Sequence, residues 1–269
     1  MDVNLSSVEI YDKWFDLYKL LSTMPLDDSN FRELPLTIQT LREAGWGVDF
    51  EILENYWRRV EWVANSCNGR VLEVGAGMGN ITKYIARNPT VDSVVAVDLL
   101  PRYIDVLKTF ELKKVHAYCI DINKNQKELS LKIPFDCVVL SEVIEHISSK
   151  EEIALNKTIN KLVAFPVTWV LTTPINYMSD PDHVRGFRTW HFKLRSKLLY
   201  GKITSYSHNT IQQFVKCRYE KRGFILYKTC EISVRMLDFF FEIRPSGHPW
   251  KYLSIFYKRL KLILRYIKL

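Results

Sequence analysis

The chain has little cysteine, and what it has is scattered. Cys67, Cys119, Cys137, Cys217 and Cys230 are five in 269 residues, an odd number with no C-x-x-C pair. That spacing excludes a zinc knuckle and a disulfide framework, and it fits a reducing, intracellular setting. Cys119 and Cys137 lie in apolar, strand-like runs, where a small thiol packs as a hydrophobe. No apolar run reaches the roughly 20 residues that a membrane-spanning helix needs. The opening stretch, MDVNLSSVEIYDKWFDLYKLL, carries acids and lacks the apolar core of a signal peptide. Internal repeats and low-complexity segments are absent. Glycine is sparse, ten in all, so Gly75, Gly77 and Gly79 within one short stretch stand out. No Lys-Ser or Lys-Thr follows them, which excludes a phosphate-cradling P-loop. No acid follows Glu242.

Apolar residues make up 47% of the chain and aromatics 13%, enough for a sizeable core and a globular fold. A net charge of +8 favours an anionic partner: nucleic acid, a membrane surface or a phosphorylated substrate. Residues 1 to about 66 read as helical, most clearly in FEILENYWRRVEWVANSC, where Ile52, Tyr56, Val60 and Val63 share a face. From Val71 the pattern changes. RVLEVG, SVVAVD, KVHAYCID, FDCVVLS and VTWVLTT are short β-branched runs alternating with helical stretches, as in strands buried on both faces of a parallel sheet. The alternation predicts a doubly wound α/β domain. Asn176 to Ser207 shows no clear period. HNTIQQFVKCRYEKRG predicts a helix with Asn209 as its N-cap and Gly223 as its stop. FILYKTCEIS and MLDFFFEIR are expected to be strands.

The loop VGAGMG joins the first strand to the first helix with G-x-G-x-G spacing, which lets a ligand lie against bare backbone at the carboxyl edge of the sheet. Asp98 ends the next strand, where a carboxylate can accept both hydroxyls of a ribose. Asp121 ends the third, where it could receive the exocyclic amine of an adenine. Glu73 lies just before the glycine turn, able to orient the loop or meet an ammonium group. One such acid is as readily a strand-end cap; three at successive strand ends argue for a ligand.

VLEVGAGMGNIT, VVAVDLLPRYI, AYCIDI and FDCVVLSEVIEHI resemble motifs I to IV of class I S-adenosylmethionine-dependent methyltransferases, in order, over roughly Cys67 to Pro174. The resemblance implies a Rossmann-like, seven-stranded sheet, mostly parallel with an antiparallel last strand. It implies S-adenosylmethionine as cofactor, over Gly75 to Gly79, with the bare backbone making room for its aminoacyl end. The cofactor-binding residues it implies are Glu73, Gly75, Ala76, Gly77, Gly79, Asp98, Leu99, Asp121, Ile122 and Ser141. Because the sulfonium makes the methyl group intrinsically reactive, such a protein mainly supplies in-line positioning and a deprotonated acceptor.

SEVIEHI follows the fourth strand at the same edge. On a helix, Glu142 would share a face with Glu145 and His146, and His183, after the fifth strand, would come beside them. Two carboxylates and two imidazoles suit Mg²⁺ or Mn²⁺. The cluster resembles the E-x-x-E-H metal site of small-RNA 2′-O-methyltransferases and of quinone-pathway O-methyltransferases. Without a metal, His146, His183 or Glu142 is the candidate catalytic base.

Two basic segments remain. In HVRGFRTWHFKLRSKLLYGK, Arg185, Arg188, Lys193, Arg195 and Lys197 alternate with Phe187, Trp190 and Phe192, a pattern that can bind phosphates and stack bases, or serve a sugar or a lid. Lys251, Lys258, Lys261, Arg265 and Lys268 form the polar side of a C-terminal amphipathic helix, with Trp250 and Tyr252 placed for an anionic membrane surface. Packing against protein is the alternative.

The expected organisation is a helical N-terminal cap at 1–66, a methyltransferase domain at 67–246 with a substrate loop at 174–207, and a basic helix at 247–269. The expected activity is O-methylation of a small or lipid-linked acceptor by a cytoplasmic enzyme, peripheral at the inner membrane face. An RNA 2′-O-methyltransferase is the enzyme alternative. A cofactor-binding or membrane scaffold without activity is the alternative of another class.

Overall fold

The computed structural model of the chain describes residues 50–129, 134–175, 183–209, 212–221, 230–235 and 237. Most of the expected helical cap, part of the expected substrate loop and the whole basic C-terminal helix lie outside them. Seven strands, β1 (Gly69–Val74), β2 (Val91–Asp98), β3 (Val115–Cys119), β4 (Phe135–Ser141), β5 (Val163–Pro174), β6 (Lys202–His208) and β7 (Gln212–Tyr219), form one sheet in the order β3-β2-β1-β4-β5-β7-β6. Every pair from β3 through β5 is parallel; β7 runs antiparallel to both β5 and β6. The chain starts at the centre, works outward to β3, then returns to β4. The carboxyl ends of β1 and β4 therefore flank the switch point where α/β sheets place their ligands.

The helices are α1 (Phe50–Ser66), α2 (Thr82–Arg87), α3 (Pro101–Lys108), α4 (Ile122–Asn125), α5 (Ser149–Ile159) and α6 (Thr189–Tyr200). They cover both faces, which is why the strands read as continuous apolar runs. Val71, Val94, Cys137, Val139 and Val170 pack with Trp57, Val60 and Val63 of α1. Their neighbours in sequence, Leu72, Val95, Val138, Leu140, Trp169 and Leu171, point the other way into a core shared with α5 and α6. Successive side chains of a strand alternate between faces, so each strand serves two cores.

The expected helix over 208–223 is instead the second half of a hairpin. β7 pairs with β5 through eight residues, from Val167↔Tyr219 to Pro174↔Gln212, and buries Phe214, Val215, Cys217 and Tyr219. Burying each large apolar side chain contributes about 1.5–3 kcal/mol, whereas helix propensities differ by under about 1 kcal/mol per residue. Tertiary pairing wins. Asn209 caps no helix: its side chain accepts the Gln212 N–H at 2.6 Å and its own N–H donates to the Gln212 carbonyl at 3.0 Å, closing the turn.

The expected substrate loop at 174–207 is mostly regular structure, α6 and β6. The period of α6 is masked in the sequence because Arg195, 1% exposed, occupies its buried face between Phe192 and Leu199. Residues 230–235 are helical, not the end of a strand. The remainder of that predicted strand and nearly all of the next lie outside the described residues.

Candidate active site

The glycine loop is a tight hook at the end of β1. Gly75 and Ala76 donate their N–H groups to the Val97 carbonyl at 2.9 and 3.1 Å, and Gly79 donates to Ala76 at 3.1 Å. All three glycines have positive φ (73°, 55° and 84°), a region costly for other residues. They differ in what lies beyond. A Cβ on Gly75 would meet Val143 Cγ2 at 2.6 Å, and one on Gly79 would meet Leu107 Cδ1 at 2.3 Å, while one on Gly77 meets nothing within 4 Å. Two of the glycines thus admit neighbouring side chains of the fold, and only at Gly77 would a Cβ enter open space.

Asp98, half-buried at the end of β2, ties this loop down. Its Oδ2 accepts the Gly77 N–H at 2.9 Å and its Oδ1 the Leu100 N–H at 2.9 Å. Each oxygen keeps a lone pair for a further donor. Leu99 and Leu100, 66% and 39% exposed, give an apolar surface beside it. Glu73 faces inward: it is 2% exposed and accepts the Thr82 hydroxyl at 2.6 Å. Burial pushes its carboxyl up to about 8, against the Thr82 hydrogen bond, with the Asp98 charge adding to the rise. Of its two expected roles, this position suits orienting the loop and its following helix.

Asp121 lies two residues past β3, immediately before α4. Its carboxylate accepts the Asn123 N–H at 3.0 Å and pairs with Lys124 at 2.9 Å, and the Lys124 bond foremost holds it below the usual carboxylate range. Ile122 buries its side chain in the core, so its backbone alone lies at the edge. Ser141 shares a 2.8 Å hydrogen bond with the Thr172 hydroxyl.

The E-x-x-E-H segment is not a helix. Glu142 takes a left-handed conformation (φ 54°), and Ile144–His146 forms one 3-10 turn before Ser148 caps α5. The four expected ligands consequently separate. Glu145, His146 and His183 bring one donor atom each within 4.8 Å of one another. The two imidazoles meet edge to face, ring centroids 4.8 Å apart. Glu142 is elsewhere: it pairs with Arg59 of α1 at 3.0 Å and accepts Thr172 at 2.8 Å and Gln212 at 3.3 Å.

The pleat of β5 makes the division. Thr172 follows the face of Val170, toward α1, and binds Glu142; Thr173 follows the face of Leu171, toward α5, and binds Glu145 at 3.3 Å. Glu145 is 1% exposed and its Oε1 has no partner among the described residues. Burial first, and then the charge of Glu142, push its carboxyl well up. A buried carboxyl in that state calls for a proton or a cation. Two imidazoles and one carboxylate oxygen form a donor set that fits a small divalent ion.

The basic, aromatic segment is largely internal. Phe187 and Phe192 are fully buried and Arg195 is 1% exposed, while Val184 and Trp190 are 62% and 47% exposed. Arg185 is bound to the Ile144 carbonyl and to Glu152. The residues that sequence reasoning missed are Arg59, Thr172, Thr173 and Gln212. Arg59 had a legible signal, a cation next to Val60 on the apolar side of α1; the others became visible only through strand register.

A family model described as a methyltransferase domain matches residues 36–223. N-methyltransferase NodS from Bradyrhizobium japonicum WM9 is similar in structure, with a TM-score of 0.50 and 16% identity over 62% of this chain and 97% of that one. Small RNA methyltransferase HEN1 gives a TM-score of 0.51 and 18% identity, over 62% of this chain and 26% of that one. At such identities the likeness speaks for the fold. No curated protein matches the chain.

Proposed function

The chain belongs to the class I S-adenosylmethionine-dependent methyltransferases, and from that premise we propose that it O-methylates a small or lipid-linked acceptor, such as a glycan, a phenol or another membrane-associated metabolite. The observation that carries this reading is the pairing of His146 with His183 against buried Glu145 at the sheet's functional edge. An amine can be methylated with little more than desolvation, whereas a hydroxyl needs a base or a metal, and this edge offers groups for either.

The bound cofactor supplies a sulfonium-activated methyl group. Gly77 would leave room for its aminoacyl end, Asp98 would accept its ribose hydroxyls, and Leu99 would offer it an apolar surface. Exposed His146 and half-buried His183 would take the proton of an acceptor hydroxyl. Glu145, His146 and His183 would suit a divalent transition-metal ion such as Mn²⁺ better than Mg²⁺, and such an ion would polarise the acceptor oxygen. Glu142 belongs to the opposite face, tied to Arg59, and leaves this set.

Val184 and Trp190, exposed in the segment that carries His183, favour an acceptor with an apolar portion. RNA has less support, since Phe187, Phe192 and Arg195 of the cation and aromatic alternation are buried. Among the described residues no helix is long and apolar enough to cross a membrane. We assign peripheral membrane association to the basic segment 247–269, and deleting the residues after Pro249 should release the protein from anionic liposomes.

The test is transfer of labelled methyl from S-adenosylmethionine into a cell extract, then separated into lipid, small-molecule, RNA and protein fractions. Label in the lipid or small-molecule fraction supports the proposal. Label in RNA replaces it with the nucleic-acid reading. Repeating the transfer in EDTA, with Mn²⁺ added back, decides between metal and histidine as the activating group.

A further inference from the structure

His183 reaches His146 from a different part of the chain, and something must fix their spacing. The bonds that join the two segments converge on Arg185. Val184 and Arg185 donate their backbone N–H groups to the Glu145 carbonyl at 3.0 and 3.3 Å. The Arg185 side chain then reaches the same turn, with Nε and Nη2 on the Ile144 carbonyl at 2.9 and 2.8 Å. Its Nη2 also meets Glu152 Oε2. One planar fork thus grips the turn bearing His146 while its own backbone carries His183 two residues away.

Glu152 makes the grip rigid. It is fully buried on α5 and takes Arg195 Nε of α6 at 2.8 Å and the Tyr200 hydroxyl at 2.6 Å, besides Arg185. Burial alone would push its carboxyl up, but the Arg195 and Arg185 charges outweigh it and hold it below the usual range. An ionised carboxylate at that depth has no alternative partner in water, so removing one guanidinium is costly and sliding it is too. The guanidinium also lies over the Phe187 ring, 5.0 Å from its centroid.

We propose that Arg185 is a positioning residue, which with Glu152 beneath it latches the His183 segment onto the Ile144–His146 turn and sets the distance between the two imidazoles. The fork is essential. A lysine can keep the charge near Glu152, but it cannot hold two parallel bonds to one carbonyl while meeting a carboxylate. The consequence for catalysis rests on the reading that the imidazole pair meets the acceptor. Misplacing such a group by about 1 Å costs on the order of 100-fold in rate.

The test uses the full chain labelled in its histidine rings, six in number. In the unsubstituted protein, His146 and His183 should give a ring-to-ring nuclear Overhauser cross-peak. Arg185→Gln and Arg185→Lys should both lose it, while affinity for S-adenosylmethionine by calorimetry stays within about twofold, since the glycine loop and Asp98 lie on other strands. Tyr200→Phe removes one bond to Glu152 without touching the turn, and should keep the cross-peak despite lower stability. Retention of the cross-peak in Arg185→Lys overturns the proposal, and so does its loss in Tyr200→Phe, which would make the network merely structural. Should Arg185→Gln not fold, Arg185→Lys decides alone. If the cross-peak disappears and methyl transfer is unchanged, the latch stands and the acceptor role of the histidines falls.

Discussion

Substituting one glycine at a time separates what the loop does for the fold from what it does for the ligand. In Gly77→Ala the new methyl meets nothing within 4 Å, so the cost to folding is the left-handed backbone at φ 55° alone. That is roughly 1–2 kcal/mol, or a melting temperature lower by about 2–8 °C for a domain of this size. Gly79→Ala carries a similar backbone cost at φ 84° and also drives a carbon to 2.3 Å from Leu107, which is 3% exposed and packed with Ala76, Ala96 and Ile104. Overpacking adds about 1–3 kcal/mol, so Gly79→Ala should melt clearly below Gly77→Ala. Affinity should run in the reverse sense. The Gly77 methyl enters the open side of the loop and should weaken S-adenosylmethionine by at least about tenfold, or 1.4 kcal/mol. Thermal melts and calorimetry on the two variants are sufficient. Equal melting temperatures would refute the packing contrast with Leu107, and unchanged affinity in Gly77→Ala would refute the assignment of the open side to the cofactor.

Three further outcomes are expected. Asp98→Ala removes the acceptor of the Gly77 and Leu100 N–H groups together with the ribose contact, and should abolish cofactor binding; unchanged calorimetric affinity would sink that role. Glu73 is raised by burial to about 8 in the folded protein, so folding takes up a proton that the unfolded chain releases. Stability should therefore fall as pH rises from about 4.5 toward 8, by up to about 1.4 kcal/mol per unit. Glu73→Gln should flatten that slope in denaturant titrations, and parallel curves for the two proteins would remove Glu73 as its source. Arg59→Met leaves the Glu142 carboxylate without its ion pair and should cost about 1–3 kcal/mol. Combined with Glu142→Gln in a double-mutant cycle it should show coupling, so strictly additive losses would argue against the pair.

The sheet is legible in the sequence because β1, β2, β4 and β5 are largely buried on both faces, and a run such as Val94 to Val97 suits little except a strand between two cores. The glycine loop and Asp98 are legible for a related reason: both follow from where such strands end. The hairpin is not, since Gln212, Gln213 and Lys216 give β7 a polar, helix-like look that only pairing with β5 overrides. The candidate site is legible in half. Glu145, His146 and His183 come together, the last because its segment bonds to the turn after β4, as the sheet order suggests. Glu142 joins them only on a helix that does not form, and the odd–even alternation of Thr172 and Thr173, which decides the matter, is invisible until β5 has neighbours. Arg185 and Arg195 look like surface cations because charge in a sequence carries no sign of burial.

That alternation has a consequence for how the chain can vary. A one-residue slip of β5 against its neighbours would exchange which threonine faces which carboxylate, and would send Trp169 and Leu171 toward the wrong core at the same time. No half-shifted arrangement exists between the two. The layout of this edge therefore behaves as a discrete code, set by the count of residues leading to it as much as by their chemistry.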